Sequence, residues 1–243
     1  MGMNDKVAVV TGGGRGIGKA IALAFSREGA KVAVWARTEE QVAGVAGEIL
    51  EAGGVAAHYV VDVADEKAVA ETVARVEEEL GHIDILVNNA AEMRLASITG
   101  TTVAIWDRLM RSNVRGPFVC CRAVLAGMME RRRGRIINIG SLAGRRGYEA
   151  QGAYCASKHA LVGLSKVLAI EAQPYGVHVN MVSPGGVVTE LSRELRESRG
   201  SDNPTDWMSA EEVAEAVLYI VKQEGAAVTD ELVLRRFASE PWR

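Results

Sequence analysis

Short apolar runs alternate along the chain with longer segments in which apolar residues recur at helical spacing. Several of the short runs are apolar without interruption and rich in β-branched residues, as expected of strands covered on both faces. The predicted strands are Val7–Thr11, Lys31–Ala36, Ala56–Val63, Ile83–Asn88, Arg135–Gly140, His178–Ser183 and Glu231–Leu234. This alternation predicts an α/β fold, a single doubly wound domain over residues 1–243 with about seven parallel strands and helices on both faces.

Polar residues indicate where three of the helices begin. Thr38 is followed three residues later by Gln41, and Ser209 by Glu212, so both pairs have the capping-box pattern. Asp65 is predicted to cap the helix that follows the third strand.

A glycine-rich turn follows the first strand and opens the first helix. A strand, a glycine turn and a helix in this order are typical of dinucleotide-binding sites. Glycine lets the backbone approach a pyrophosphate, and the helix N-terminus presents free N–H groups. A tight turn that needs glycine only for its shape is the simpler alternative. The placement favours phosphate binding by Gly12, Gly14, Arg15, Gly16, Ile17 and Gly18.

A phenol and an amine stand one helical turn apart later in the chain. Tyr154 and Lys158 occupy positions i and i+4, which share a helix face. A nearby cation favours the ionised form of a phenol, and Ser141 can hold an oxygen on which charge develops. The three residues predict proton transfer to or from an alcohol or carbonyl oxygen. By itself, the pair is more typical of a helix surface with a snorkelling lysine.

The residues singled out so far lie just beyond predicted strand ends. Gly12 follows the first strand, Asn89 the fourth, Ser141 the fifth and Pro184 the sixth. Ligands of doubly wound sheets bind beyond the carboxyl ends of the strands, so we expect these residues to converge on one site.

Taken together, these motifs resemble the short-chain dehydrogenase/reductase family. Its glycine turn is one residue wider than the usual dinucleotide fingerprint and follows a threonine, as here. The matching positions are Thr11 to Gly18, Asn88 to Ala90, Asn113, Ser141, Tyr154 with Lys158, and Pro184 and Gly185 followed by Thr189. The resemblance extends from about Lys6 to about Leu234. Ala91 departs from it, because many members have glycine there.

The resemblance implies a Rossmann domain and assigns four catalytic roles. Tyr154 is the general acid in reduction and the base in oxidation. Lys158 binds the nicotinamide ribose and lowers the pKa of Tyr154, while Ser141 orients the substrate carbonyl. Asn113 holds a water that links Lys158 to solvent, although without the resemblance it is better explained as an asparagine that bonds backbone.

The resemblance also implies further cofactor contacts. Asp62 and Val63 contact the adenine, and Val187 and Thr189 the carboxamide and phosphates. The predicted cofactor residues outside the glycine turn are Arg37, Asp62, Val63, Asn89, Ala90, Tyr154, Lys158, Pro184, Gly185, Val187 and Thr189.

The end of the second strand bears on which cofactor is bound. NAD-binding units have an acidic residue there, whereas this chain has Arg37. Arg37 and Arg15 can clamp a 2′-phosphate, and in the resembling family basic residues at these positions are typical of NADP users. The prediction is NADP(H), with NAD(H) as the alternative. There are two competing explanations. Both arginines are solvated surface residues, or Arg37 pairs with Glu39 and Glu40.

Composition excludes several classes of function. The 243 residues carry a net charge of −3, which argues against general nucleic-acid binding. The longest apolar runs have strand length, so no membrane segment or signal peptide is expected. Cys120, Cys121 and Cys155 are odd in number, which suits a reducing cytoplasm. Neither they nor the four histidines have metal-ligand spacing, so no metal site is predicted.

Substrate specificity is expected in the loops 92–98, 142–151 and 190 to about 207, the last of them as a mobile lid. Arg145 and Arg146 have two possible roles: they favour an anionic substrate, or they are solvated charges at the rim of the site. Leu95, Ile98, Leu142 and Leu191 are candidates for an apolar pocket.

Two further segments are unusual in charge or sequence. The basic run 131–135 either docks an acidic acyl carrier or is a solvated helix end. The tail after residue 228 departs from the 3-oxoacyl reductases of the family and is expected to pack on a neighbouring subunit.

The sequence therefore predicts an NADP(H)-dependent oxidoreductase that interconverts a ketone or aldehyde and an alcohol. Its substrate is expected to be a small molecule or an acyl thioester, and its assembly a homotetramer or homodimer, as is common in the resembling family. An NAD-dependent alcohol or polyol dehydrogenase is one alternative. A non-catalytic cofactor sensor is the other, but the complete catalytic set argues against it.

Overall fold

One parallel sheet organises the molecule. The computed structural model describes residues 2–198, 200 and 206–240. Within them, seven parallel strands lie in the order β3-β2-β1-β4-β5-β6-β7. The strands are β1 Val7–Thr11, β2 Lys31–Ala36, β3 Val55–Val60, β4 Ile83–Asn88, β5 Gly134–Ile139, β6 Val177–Pro184 and β7 Glu231–Leu234. The order reverses between β1 and β4, which places a ligand crevice at the ends of these two strands.

Helices cover both faces of the sheet, as the apolar runs predicted. The described helices are α1 Gly16–Arg27, α2 Glu39–Glu51, α3 Glu66–Glu79, α4 Val103–Met110, α5 Gly116–Glu130, α6 Gly152–Ala172, α7 Arg193–Ser198 and α8 Ala210–Lys222. Helices α1, α2 and α8 pack on one face around Phe25 and Ile21. Helices α3, α5 and α6 pack on the other around Trp35 and Met128. None of the described helices combines the length and apolar character needed to cross a membrane.

The strand predictions differ from the structure mainly at strand ends. The third strand ends at Val60 rather than Val63, because its partner β2 ends at Ala36, opposite Val60. Residues 61–63 instead turn into the crevice. The sixth strand is longer than predicted, since β5 and β7 flank it and together pair residues from Val177 to Pro184.

Two of the three predicted caps are confirmed. The Asp65 side chain accepts a hydrogen bond from the Ala68 N–H, and Ser209 forms a complete capping box with Glu212. The capping box at Thr38 is wrong, because the Thr38 side chain makes no capping hydrogen bond. Gln41, its predicted partner, lies against the glycine turn instead.

Candidate active site

The glycine turn has the shape that phosphate binding requires. Gly12 and Gly16 have φ values of +61° and +51°, in the left-handed region that favours glycine. A Cβ atom on Gly18 would lie 2.2 Å from the carbonyl oxygen of Gly12, so only glycine fits where the helix meets the turn. These constraints hold the first turn of α1 open towards the crevice.

The turn is tied to the end of the fourth strand. The Asn89 side chain donates to the carbonyl oxygens of Thr11 and Gly12 at 3.0 and 3.2 Å. In return, the Thr11 hydroxyl oxygen accepts from the N–H groups of Asn89 and Ala90 at 3.0 and 3.1 Å. Asn89 therefore holds the glycine turn against the end of β4.

Two adjoining cavities form a continuous cleft along the carboxyl ends of the strands. The first lies over the glycine turn and the ends of β2 and β3, and the second lies over the ends of β5 and β6. Residues that line both are Ile17, Asn89, Ala91, Thr189 and Leu191. We refer to the first as the cofactor cavity and to the second as the catalytic cavity.

The cleft brings together most of the residues singled out from the sequence. Those lining the cofactor cavity are Gly12, Gly14, Arg15, Gly16, Ile17, Arg37, Asp62, Val63, Asn89 and Ala90. Those lining the catalytic cavity are Ser141, Tyr154, Lys158, Pro184, Gly185, Val187 and Thr189. Gly18 and Asn113 line neither cavity. The residues present therefore fit a dinucleotide, with the glycine turn at one end and Tyr154 at the other.

Three side chains converge at the floor of the catalytic cavity. Lys158 is buried, and its Nζ donates to the carbonyl oxygen of Ile139 at 2.9 Å. The same Nζ lies 5.8 Å from the centre of the Tyr154 ring. The Ser141 side chain acts on the ionisation of Tyr154, and its Oγ accepts from the Ala143 N–H at 3.1 Å. One helical turn of α6 and the second residue beyond β5 therefore supply a phenol, an amine and a hydroxyl to one point.

Burial dominates the ionisation of both proton-bearing groups. It raises the pKa of Tyr154 to about 12, although the hydrogen bond from Ser141 lowers it. It also lowers the pKa of Lys158 to about 8. Desolvation opposes the charged forms of both groups and dominates the pKa of Tyr154 here. The lowering of that pKa by Lys158, together with an oxidised nicotinamide ring, stays a prediction.

Asn113 lies behind the cleft on a π-helical turn, Arg111–Arg115, between α4 and α5. Its Oδ1 accepts from the Glu92 N–H at 2.8 Å, and its Nδ2 donates to the Glu92 carbonyl oxygen at 2.9 Å and to the Ser157 Oγ at 3.0 Å. Its side chain thus joins the loop after β4 to α6. Single π turns inside helices are frequent at functional sites. The water relay to Lys158 stays a prediction.

Acidic partners surround the cations of the cofactor cavity. Arg37 pairs with Glu92 at 3.0 Å, not with Glu39 or Glu40. Glu92 also pairs with Arg108 at 2.7 Å. This carboxylate was missed as a site residue, because nothing in the local sequence shows that the loop after β4 returns to the end of β2.

Two more of the charged residues predicted to contact the cofactor, Arg15 and Asp62, also form ion pairs. Arg15 forms an ion pair with Glu190, across the opening of the cleft. Asp62 pairs with Arg111 at 2.7 Å. A dinucleotide phosphate that binds Arg15 or Arg37 must therefore compete with a glutamate.

The two arginines of the second specificity loop have different surroundings. Arg146 lines the catalytic cavity, whereas Arg145 lies outside it and pairs bidentately with Glu231 of β7. Of the leucine and isoleucine candidates, Leu142 and Leu191 line the cavity. Leu95 and Ile98 do not, and Ile98 is 75% exposed beside Gly152.

The C-terminal tail contributes to the catalytic cavity, which the sequence did not indicate. Arg236 and Ser239 line it together with the second loop. Packing of the tail on a neighbouring subunit stays a prediction. Residues 199, 201–205 and 241–243, which include Arg199 and Asp202 of the predicted lid, lie outside the described residues.

The basic run 131–135 lies at the amino end of β5, whereas the cleft lies at the carboxyl ends of the strands. Arg133 pairs with Asp84 at 2.8 Å, and Arg131 and Arg132 donate to the backbone oxygens of Ile83 and Pro174. These contacts account for the charges as helix-end and strand-start interactions. Among the described residues, no group of three or more metal-ligating side chains comes together.

Most of the chain is similar in sequence to known proteins. Residues 6–200 match the family model described as short chain dehydrogenase. The chain is 36% identical over 238 residues to the 2-(S)-hydroxypropyl-CoM dehydrogenase 3 of Xanthobacter autotrophicus, with 93% of each chain covered. It is 35% identical over 236 residues to the 3-oxoacyl-acyl-carrier-protein reductase of Escherichia coli, with 95% of this chain and 96% of that one covered.

A solved structure of an oxidoreductase is also similar to this chain. A metagenomic short-chain oxidoreductase in complex with NADP superposes with a TM-score of 0.84 at 33% identity, covering 97% of this chain and 99% of that one. The chain therefore belongs to the short-chain dehydrogenase family. It is an oxidoreductase of the kind that acts on CH–OH or carbonyl groups.

Proposed function

We propose that this protein uses NADP(H) to interconvert a ketone or aldehyde and the corresponding alcohol. One observation carries the proposal: Tyr154, Ser141 and Lys158 converge in a cavity that continues into the glycine-turn crevice. A bound nicotinamide supplies the hydride. The chain's own residues must orient the substrate carbonyl and move a proton at its oxygen.

Ser141 and Tyr154 divide that task. Ser141 donates to the substrate oxygen and stabilises the charge that develops on it. Tyr154 gives its proton to that oxygen in reduction and takes it back in oxidation. Lys158 binds the nicotinamide ribose and places a positive charge beside the phenol, so that the phenolate is less costly than in the protein alone. Asn113 holds a relay water behind Lys158.

The proposal extends to the substrate class, the cellular compartment and the oligomeric state. The 3-oxoacyl reductase among the relatives makes an acyl thioester a candidate beside small carbonyl compounds. A reducing cytoplasm suits the three cysteines, which are all free and buried. A homotetramer or homodimer would cover apolar side chains that are exposed on α4 and α6, such as Val103 and Ile170.

The test is a set of NADPH-consumption initial rates over a carbonyl panel that includes acetoacetyl thioesters. Tyr154→Phe serves as the matched blank. Turnover that disappears in the variant supports the proposal, and the best substrate separates acyl from general carbonyl reduction. NADPH binding without any turnover across the panel would favour the non-catalytic sensor.

Cofactor preference is tested by substitutions at the ion pair beside the cavity. Arg37→Ala is expected to lower the ratio of kcat/KM for NADPH over NADH by about 10- to 100-fold, because a charge-assisted contact to the 2′-phosphate is lost. Glu92→Gln is expected to raise the same ratio, because it removes the carboxylate that competes for Arg37. Steady-state rates with both cofactors measure each ratio.

Arg122→Ala is the control for these two variants, since Arg122 is exposed and pairs with Glu66, a residue outside the cleft. It should leave the ratio within about twofold of the parent. An unchanged ratio in Arg37→Ala would support the NAD-dependent alcohol or polyol dehydrogenase instead.

A further inference from the structure

The described residues that line the catalytic cavity carry positive charges and no negative ones. Among the described residues that line it, Arg146, Lys158 and Arg236 are cationic, and none is aspartate or glutamate. Lys158 is engaged by the Ile139 carbonyl oxygen beside Tyr154. The two arginines belong to the second specificity loop and to the C-terminal tail, away from the glycine turn. Their charge therefore acts on the substrate end of the cleft.

Arg146 is held in place by its neighbour in the loop. Its Nε donates to the Tyr148 hydroxyl oxygen at 2.7 Å, and its guanidinium carbon lies 4.9 Å from the centre of the Tyr148 ring. It forms no ion pair with any described carboxylate, and its terminal nitrogens donate to no described residue. Arg145, one position earlier, has the opposite arrangement, because Glu231 neutralises it outside the cavity. The half-buried guanidinium of Arg146 therefore has terminal N–H groups that can donate to a ligand.

Arg236 is oriented in a similar way from the tail. Its guanidinium carbon lies 4.9 Å from the centre of the Trp207 ring. Its Nε donates to the Ser239 Oγ at 3.1 Å, and its Nη1 to the Asp206 carbonyl oxygen at 3.3 Å. Stacking on an aromatic ring reduces the side-chain freedom that an arginine would lose on binding a ligand. The tail thereby places a second fixed guanidinium at the same cavity.

We infer that the substrate carries an anionic group, a carboxylate or a phosphate, and that Arg146 and Arg236 bind it while its carbonyl faces Ser141 and Tyr154. Planar guanidinium groups match the oxygens of both anions, and the described residues that line the cavity place no acidic side chain beside Arg146. The inference rests on the proposed reductase activity and adds the substrate class to it.

The test compares ketones that differ only in charge. Acetoacetate is paired with methyl acetoacetate, and dihydroxyacetone phosphate with dihydroxyacetone, each with NADPH in excess. The parent protein should have a higher kcat/KM for at least one anion than for its neutral partner. Arg146→Gln and Arg236→Gln should each lower kcat/KM for that anion by about 10- to 100-fold, while changing the neutral partner by less than about threefold. Which anion responds separates carboxylate from phosphate recognition.

Arg145→Gln is the matched control, because it removes the same charge one residue away but outside the cavity. It should leave the anion-to-neutral ratio unchanged. Equal kcat/KM for charged and neutral partners in the parent, or equal losses on both in Arg146→Gln, would overturn the inference. In that case, Tyr154-dependent turnover of the neutral ketones leaves the proposed reductase standing.

Binding decides the inference if none of the four ketones is reduced. Isothermal titration of the protein–NADPH complex with acetoacetate and dihydroxyacetone phosphate should then show binding that weakens at least tenfold in Arg146→Gln. Binding that is absent, or unchanged by the substitution, would overturn the inference. Absence of turnover by itself would contradict the proposed reaction, whereas these titrations test the anion site.

Discussion

Tyr154→Phe is expected to lower kcat/KM for carbonyl reduction by about 10²- to 10⁴-fold, the usual contribution of a positioned general acid. Tyr154 is buried and lines the catalytic cavity together with Ser141, so the proposed function makes its hydroxyl group the proton donor at the reacting oxygen. Phenylalanine keeps the ring and its packing. The dissociation constant of NADPH should change by less than about tenfold, because at most one hydrogen bond is lost.

Initial rates and a fluorescence titration of NADPH measure the two quantities. Tyr219→Phe is the control, since Tyr219 is exposed on α8 and lines neither the cofactor cavity nor the catalytic cavity. A Tyr154→Phe protein that retains more than about a tenth of the parent rate would contradict the assignment of Tyr154 as the proton donor.

Lys158→Met is expected to lower kcat/KM to a similar degree and, in the protein without cofactor, to raise the free energy of unfolding. Burial lowers the pKa of Lys158 from 10.5 to about 8. Holding this amine charged below pH 8 therefore costs about 3 kcal/mol of stability. Methionine removes that cost but also leaves the Ile139 carbonyl oxygen without its donor, so a net gain of about 1–2 kcal/mol is expected.

The sign of the pH dependence follows from the same pKa. Below about pH 8 the folded and unfolded chains both hold the Lys158 proton, so the full gain of the variant is present. Between about pH 8 and 10.5 the unfolded chain binds more protons, the parent becomes more stable as the pH rises, and the gain shrinks. Thermal melts at pH 7 and pH 9.5 measure this.

Two results would count against this account of Lys158. One is a melting temperature of Lys158→Met below that of the parent at pH 7. The other is a gain that grows with pH. Either would mean that the buried amine stabilises the protein through contacts that outweigh its desolvation. Loss of activity together with a gain in stability is the pattern expected of a functional residue held at a cost to the fold.

The apolar pattern was sufficient for most of the fold, because strand and helix spacing are local properties. The strands starting at Val7 and Lys31 have the predicted bounds. The third strand was placed three residues too far, since its end depends on where its partner β2 stops. The cap at Thr38 failed for a comparable reason, as Gln41 packs against the glycine turn, a contact that its own helix does not reveal.

Residue spacing was enough to predict those parts of the site whose geometry is local. Tyr154 and Lys158 share a face because they are one turn apart on one helix, and Gly12 and Gly16 adopt conformations that their residue type allows. The convergence of strand ends followed from the parallel order.

The tertiary structure alone decided how the charges are used. It paired Arg37 with Glu92 rather than with its sequence neighbours, turned Arg146 into the catalytic cavity and Arg145 away from it, and brought Arg236 there from the tail. It also showed that burial, not the neighbouring amine, dominates the pKa of Tyr154. Ion pairing and desolvation depend on which distant groups share a space, and residue spacing along a chain carries no such distances.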